Sequence, residues 1–166
     1  DWSKMIESSS RSEAERKTTT RIVNLVREHV ELITDENDDG FAIIDKSTHR
    51  EVWPLDSRGF RDWISYMTYR ELDFAVNETV TTSVIATLSG IAKHDGETCQ
   101  VFLRCAPNND GYMIDMSNDS WQAASVHPNE VKLITRPDQY FVRSSTSTEF
   151  PSLVEPDLEK LWYYVN

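Results

Sequence analysis

The spacing of apolar residues settles to a period of two beyond His94-Asp95-Gly96 in this 166-residue chain, and that change dictates where the strand-rich half begins. Before it three segments have helical spacing. Ile22, Leu25, Val26, His29 and Ile33 predict a helix over 19–34. Ser57 is a capping residue ahead of Phe60, Trp63, Ile64 and Met67, which predicts a helix over 57–72. Asn77 stands likewise ahead of Val80, Val84, Ile85, Leu88 and Ile91, for a helix over 78–92. Between the first two helices, FAIID (41–45) and HREVWPL (49–55) read as short strands.

After Gly96 the period falls to two. CQVFLRC (99–105), GYMIDMS (111–117), WQAASV (121–126), VKLIT (131–135) and YFVR (140–143) are five candidate strands. The breaks between them carry Pro107 to Asp110, Asn118-Asp119, His127 to Asn129 and Pro137-Asp138, which favours an antiparallel meander. Pro156 followed by Leu158, Leu161, Trp162 and Val165 predicts a closing helix. The expected class is α+β: three N-terminal helices packed with a mainly antiparallel five-strand meander and a C-terminal helix. One domain should span 18–166, with 1–17 a flexible tail or linker. Trp53, Trp63, Trp121 and Trp162 are expected to be largely buried, and Trp2 exposed or disordered.

Several function classes fall away on composition. With 17 basic against 28 acidic side chains the net charge is −11, which argues against a broad phosphate-gripping face. No apolar run nears the roughly 20 residues that span a bilayer, so no membrane partner is expected. Two cysteines, Cys99 and Cys105, are too few for a disulfide framework and point to a reducing, cytoplasmic compartment. Read as one strand, 99–105 would set them roughly 20 Å apart at strand rise, too far to share a zinc ion. The four histidines are scattered, and no metal or other cofactor is predicted. The glycines, at 40, 59, 90, 96 and 111, offer neither a P-loop nor a G-x-G turn. Asp35 to Gly40 (DENDDG) imitates the first half of a calcium loop, but its twelfth position is Lys46 where a bidentate Glu belongs. An acidic helix-to-strand turn is the better reading. The chain begins at Asp1 and stops just after a patterned segment, which predicts a piece of a longer polypeptide.

Two clusters mix cations with aromatic rings. Arg136, Tyr140, Phe141 and Arg143, with Lys132 near, have the character of a platform on which single-stranded bases stack, or of core aromatics flanked by solvated charges. His49, Arg50, Trp53, Arg58, Arg61 and Trp63 are balanced by Glu51, Asp56 and Asp62, so an internal ion-pair network and a ligand site are equal readings. The candidate binding residues are therefore Arg50, Trp53, Arg61, Arg136, Tyr140 and Arg143, with no catalytic residue assigned.

The segment His49–Trp63 (HREVWPLDSRGFRDW) resembles one found upstream of the ATPase in prophage and mobile-element primase-helicase-like P-loop ATPases. The likeness continues in order through Ile85–Ala92, VFLRC (101–105), the Y-x-I-D strand Tyr112–Asp115 and the D-x-W turn Asp119–Trp121. A W-x-x-V-x-V-x-P-x-x-V pattern is similar at Trp121–Val131, where Ala124 replaces the first Val. It covers about residues 30–166, departing in the serine-rich 144–148 segment. The resemblance implies association with DNA replication of a phage, plasmid or integrated element, and a P-loop ATPase shortly beyond Asn166. It supplies no residue roles.

The first reading is thus a non-catalytic accessory domain that binds a protein partner, a neighbouring subunit or single-stranded nucleic acid. An alternative is a small metal-dependent phosphodiesterase built on Asp115, Asp119 and Glu97. Another is a regulatory or effector domain unrelated to replication.

Overall fold

The structure is a computed structural model that describes residues 2–144 and 146–151, with side chains from Ser12 onward. The elements run α1 (Trp2–Arg27), β1 (Glu31–Thr34), β2 (Gly40–Asp45), β3 (Arg50–Pro54), α2 (Arg58–Leu72) and α3 (Glu78–Asp95). Short strands follow: β4 (Glu97–Thr98), β5 (Val101–Phe102), β6 (Cys105–Asn108), β7 (Gly111–Asp115), β8 (Ala123–His127), β9 (Glu130–Ile134) and β10 (Tyr140–Phe141).

Local signals place α2 and α3 where the sequence does. Ser57 Oγ accepts the Phe60 N–H at 3.2 Å, and Asn77 Oδ1 accepts the Val80 N–H at 2.9 Å. Each cap satisfies a donor that the first turn leaves without an intrahelical partner. The buried residues Phe60 and Ile64 on α2, and Val80, Val84, Ile85 and Leu88 on α3, meet Ile22, Val23 and Val26 of α1. Ala42 of β2 and Leu55 close this cluster from the sheet side. Removing each Val, Leu, Ile or Phe side chain of the cluster from water contributes roughly 1.5–3 kcal/mol.

The sheet architecture departs from the predicted one. Three sheets form: β3-β2-β1-β4, the meander β6-β7-β8-β9, and a two-stranded ribbon of β5 with β10. Only four strands meander, and three strands separate α1 from α2, so the helices do not precede the strands as a block. The predicted helix 19–34 stops at Arg27, while residues 2–17 are helical and continuous with the rest of α1. His29 Nδ1 lies 2.9 Å from Leu25 O and occupies one of the last carbonyls. Glu31–Thr34 then extends because Ile33, fully buried, pairs with Phe41 across the sheet. The acidic turn consequently joins β1 to β2, not a helix to a strand.

The predicted strand 99–105 is also split. A bend at Leu103-Arg104 sends Val101–Phe102 into the ribbon and Cys105 into the meander, so the two cysteines belong to different surroundings. The bend is fixed where the Asp115 N–H donates to Arg104 O at 2.8 Å. The predicted closing helix, with Trp162, lies outside the described residues. Trp53, Trp63 and Trp121 are half-buried, less covered than expected.

The ribbon is the layer that joins the two larger sheets. Its strands run parallel, with Tyr140 opposite Val101 and Phe141 opposite Phe102. Strand alternation turns Val101 and Tyr140 toward Ile33, Phe41, Ile43 and Val52 of the first sheet. Phe102 and Phe141 face Ala106, Met113 and Ala123 of the meander. The chain therefore stacks as helices, first sheet, ribbon and meander.

Candidate functional site

Four of the six candidate residues meet where the ribbon joins the two sheets. Asp115 ends β7 on the inward face, only 2% exposed, not on the solvent side where most strand aspartates lie. Arg143, two residues beyond β10, grips it with a fork: Nε to Oδ2 at 3.0 Å and Nη2 to Oδ1 at 2.6 Å. Ser117 Oγ adds a third donor at 2.8 Å, and the remaining guanidinium nitrogen donates to Asn118 O.

The loop between β7 and β8 is folded around this pair. Met116 N–H donates to Gln122 O, Trp121 N–H to Asn118 O, and Gln122 N–H to Asn118 Oδ1. Ser117 and Trp121 both take left-handed backbone, φ 50° and 51°, an arrangement that bulky residues hold only when their surroundings enforce it. The reward is the position of the Trp121 ring. The Arg143 guanidinium sits 4.0 Å from its centroid, His49 lies parallel to it at 6.3 Å, and Trp53 is tilted against it at 6.1 Å.

Strand β3 supplies the other wall. His49, Glu51 and Trp53 alternate along one side, and the Glu51 carboxylate accepts from His49 Nε2 and Trp53 Nε1, each at 3.0 Å. Arg50 lies over the Tyr140 ring at 5.4 Å. Burial pushes the Tyr140 hydroxyl above its ordinary range; Glu31 adds to that, while Arg50 opposes it. A narrow cleft between Arg50, Val52, Asp115, Trp121, Pro137, Gln139 and Phe141 marks the centre.

Arg61 and Arg136 lie elsewhere. Arg61 leaves α2 for Glu78 at 3.0 Å, and Arg136 reaches Asp45 Oδ2 at 2.5 Å and Lys46 O at 3.2 Å. Of the four cations in the late-strand cluster and β3, Arg143, Arg136 and Lys132 each hold a carboxylate, as does Arg61 of α2. Sequence reasoning missed His49, Glu51, Asp115 and Trp121 as one constellation. The H-x-E-x-W spacing from His49 into β3 was the available signal, since period two puts all three on one side of an extended segment.

The metal-dependent alternative loses its centre. Asp115 is committed to Arg143 and Ser117, and Glu97 stands on β4 in a different sheet. Among the described residues no three His, Cys, Asp or Glu side chains gather as a metal site. The Asp35 carboxylate serves its own turn, accepting N–H groups of Asn37 and Asp39 at 2.9 Å each.

A second polar network lies on the inward face of the meander. Asp110 Oδ1 is 2.8 Å from His127 Nδ1, and Ser125 Oγ is 3.1 Å from His127 Nε2, an order that resembles a nucleophile triad. Ser125 Oγ also accepts from Asn108 Nδ2 at 2.9 Å, and the serine is 5% exposed. The network fastens the β6–β7 turn to β8. Gly111 makes room for it, since a Cβ there would come within 2.9 Å of His127 Nδ1.

One apolar and one acidic surface lie open. Tyr112 is 65% exposed, Val131 and Leu133 51% each, on the outward face of the meander. Near the β1–β2 turn, Asp38, Asp39 and Asp56 rim a groove. Among the described residues no helix is long and apolar enough to cross a membrane. Comparison with family models, with curated proteins and with solved structures finds no match to this chain.

Proposed function

We propose that this chain is a non-catalytic accessory domain of a phage or mobile-element replication ATPase of the primase-helicase-like kind, docking a protein partner or neighbouring subunit. Its setting would be the reducing cytoplasm, in keeping with two free cysteines. The observation that carries the docking half is the use of the cations. Arg143, Arg136 and Arg61 are spent on Asp115, Asp45 and Glu78, while Trp121 is stacked with His49 and has Trp53 tilted against it. A stacking platform for single-stranded bases needs those cations and ring faces free. The replication half rests on the resemblance over about residues 30–166 alone. A domain of this sort raises the effective concentration of whatever it holds near the ATPase, with no chemistry of its own.

The test is a salt-titrated binding assay with labelled single-stranded DNA. No binding tighter than the roughly 1 µM limit of nonspecific contacts is expected at physiological salt. Tighter binding, with a salt slope that falls on Arg50→Ala or Arg136→Ala, would return the late strands to nucleic acid.

A further inference from the structure

The β1–β2 turn, the ends of β2 and β3, α3 and the β5–β6 bend enclose a groove of about 500 Å³. That lies within the roughly 300–1,000 Å³ of clefts that hold small ligands or side-chain anchors. Its floor is apolar, built from Gly40, Phe41, Pro54 and Leu55. Glycine keeps that floor low, since a Cβ at Gly40 would stand 2.8 Å from Leu55 Cδ1. Its rim is acidic: Asp38, Asp39 and Asp56 are all exposed, with Lys93 of α3 reaching Asp38. Above it stands Leu103, at 74% exposure, beside half-buried Val142.

These features select one kind of occupant. An apolar side chain gains contact with Leu103, Val142 and the floor, while flanking cations meet Asp39 and Asp56. Lys93 of α3 already demonstrates the second half, its Nζ lying 2.5 Å from Asp38 Oδ2. A net charge of −11 draws cationic partners and repels acidic ones, nucleic acid included. We infer that this groove docks a cationic amphipathic segment of a partner protein, one apolar anchor flanked by lysines or arginines. The inference rests on the protein-docking reading above and names the chemistry of its partner.

The probe is a short peptide with a leucine pair flanked by lysines, followed on the ¹⁵N-labelled chain by amide chemical shifts. Expected shifts gather at Asp39 to Phe41, Leu55-Asp56, Leu103 and Val142. Replacing the leucines of the peptide by serine weakens binding about tenfold, as does Leu103→Ser, which removes an exposed side chain and leaves the core intact. Asp39→Asn with Asp56→Asn weakens it about fivefold at low salt and flattens its salt dependence. Scattered shifts, equal binding by the serine peptide, or the same shifts from magnesium chloride alone would overturn the groove assignment. Shifts of these residues by single-stranded DNA would instead overturn the protein-docking reading itself, so the two failures are distinct.

Discussion

Replacing Arg143 by methionine tests the junction most directly. The side chain of Asp115 is 3% exposed and that of Arg143 13%, so the pair is shielded from the water that weakens surface ion pairs. Arg143→Met keeps most of the volume but leaves the carboxylate with Ser117 as its side-chain donor. Removing one partner of a buried pair costs about 3–5 kcal/mol, chiefly because the other charge stays behind uncompensated. The loss of the guanidinium over Trp121 adds about 0.5–1 kcal/mol. For a chain of this length each kcal/mol lowers the melting temperature by about 2–4 °C, so a drop of about 10 °C or more is expected. Urea unfolding followed by tryptophan fluorescence measures it. The control is Arg143→Met combined with Asp115→Leu, which leaves neither charge and should recover part of the loss. A single variant that costs under about 1 kcal/mol would refute the shielding argument. A double variant whose cost equals the sum of the two singles would refute the coupling.

Three further outcomes follow from other parts of the fold. Gly59→Ala drives a methyl into the Trp53 ring, which packs directly on that glycine, and should cost about 1–3 kcal/mol in the same unfolding assay. Burial pushes the Cys99 thiol above its ordinary pKa, while Cys105 is exposed; iodoacetamide at neutral pH should therefore label Cys105 first, as peptide mass mapping would show. Slight burial works to raise the Asp35 pKa, but hydrogen bonds from Asp39 and Asn37 outweigh it and hold the carboxyl below its ordinary 3.8. A depressed folded pKa gives stability that is present above the unfolded value and lost as pH falls through the folded one. Asp35→Ala should thus flatten the acid limb of the stability profile below about pH 4, and an unchanged limb would contradict it.

What the sequence disclosed was local. Ser57 and Asn77 lie within a few residues of the N–H groups they cap, and the stripes of α2 and α3 repeat within one helix, so short-range pattern sufficed. Ile33 was misplaced because its spacing from Val26 and His29 suits a helix, whereas its partner, Phe41, is known only from the pairing of β1 with β2. Phe102 and Phe141 lie in separate segments, and nothing in either predicts a parallel pair. At the candidate site the residue types were legible and their partners were not. Arg143 and Trp121 were visible as a cation and a ring, but the carboxylate that claims the first and the left-handed turn that aims the second are tertiary facts.

The parallel ribbon has one more consequence. Residues 102 and 141 are neighbours in space, so everything between them leaves the ribbon and returns to it at the same doorway. Such an excursion can be lengthened, shortened or exchanged for another sheet without rerouting the helices, provided that Val101-Phe102 and Tyr140-Phe141 survive as its doorposts and that the holds of Asp115 on Arg143 and of Trp121 on His49 and Trp53 are replaced.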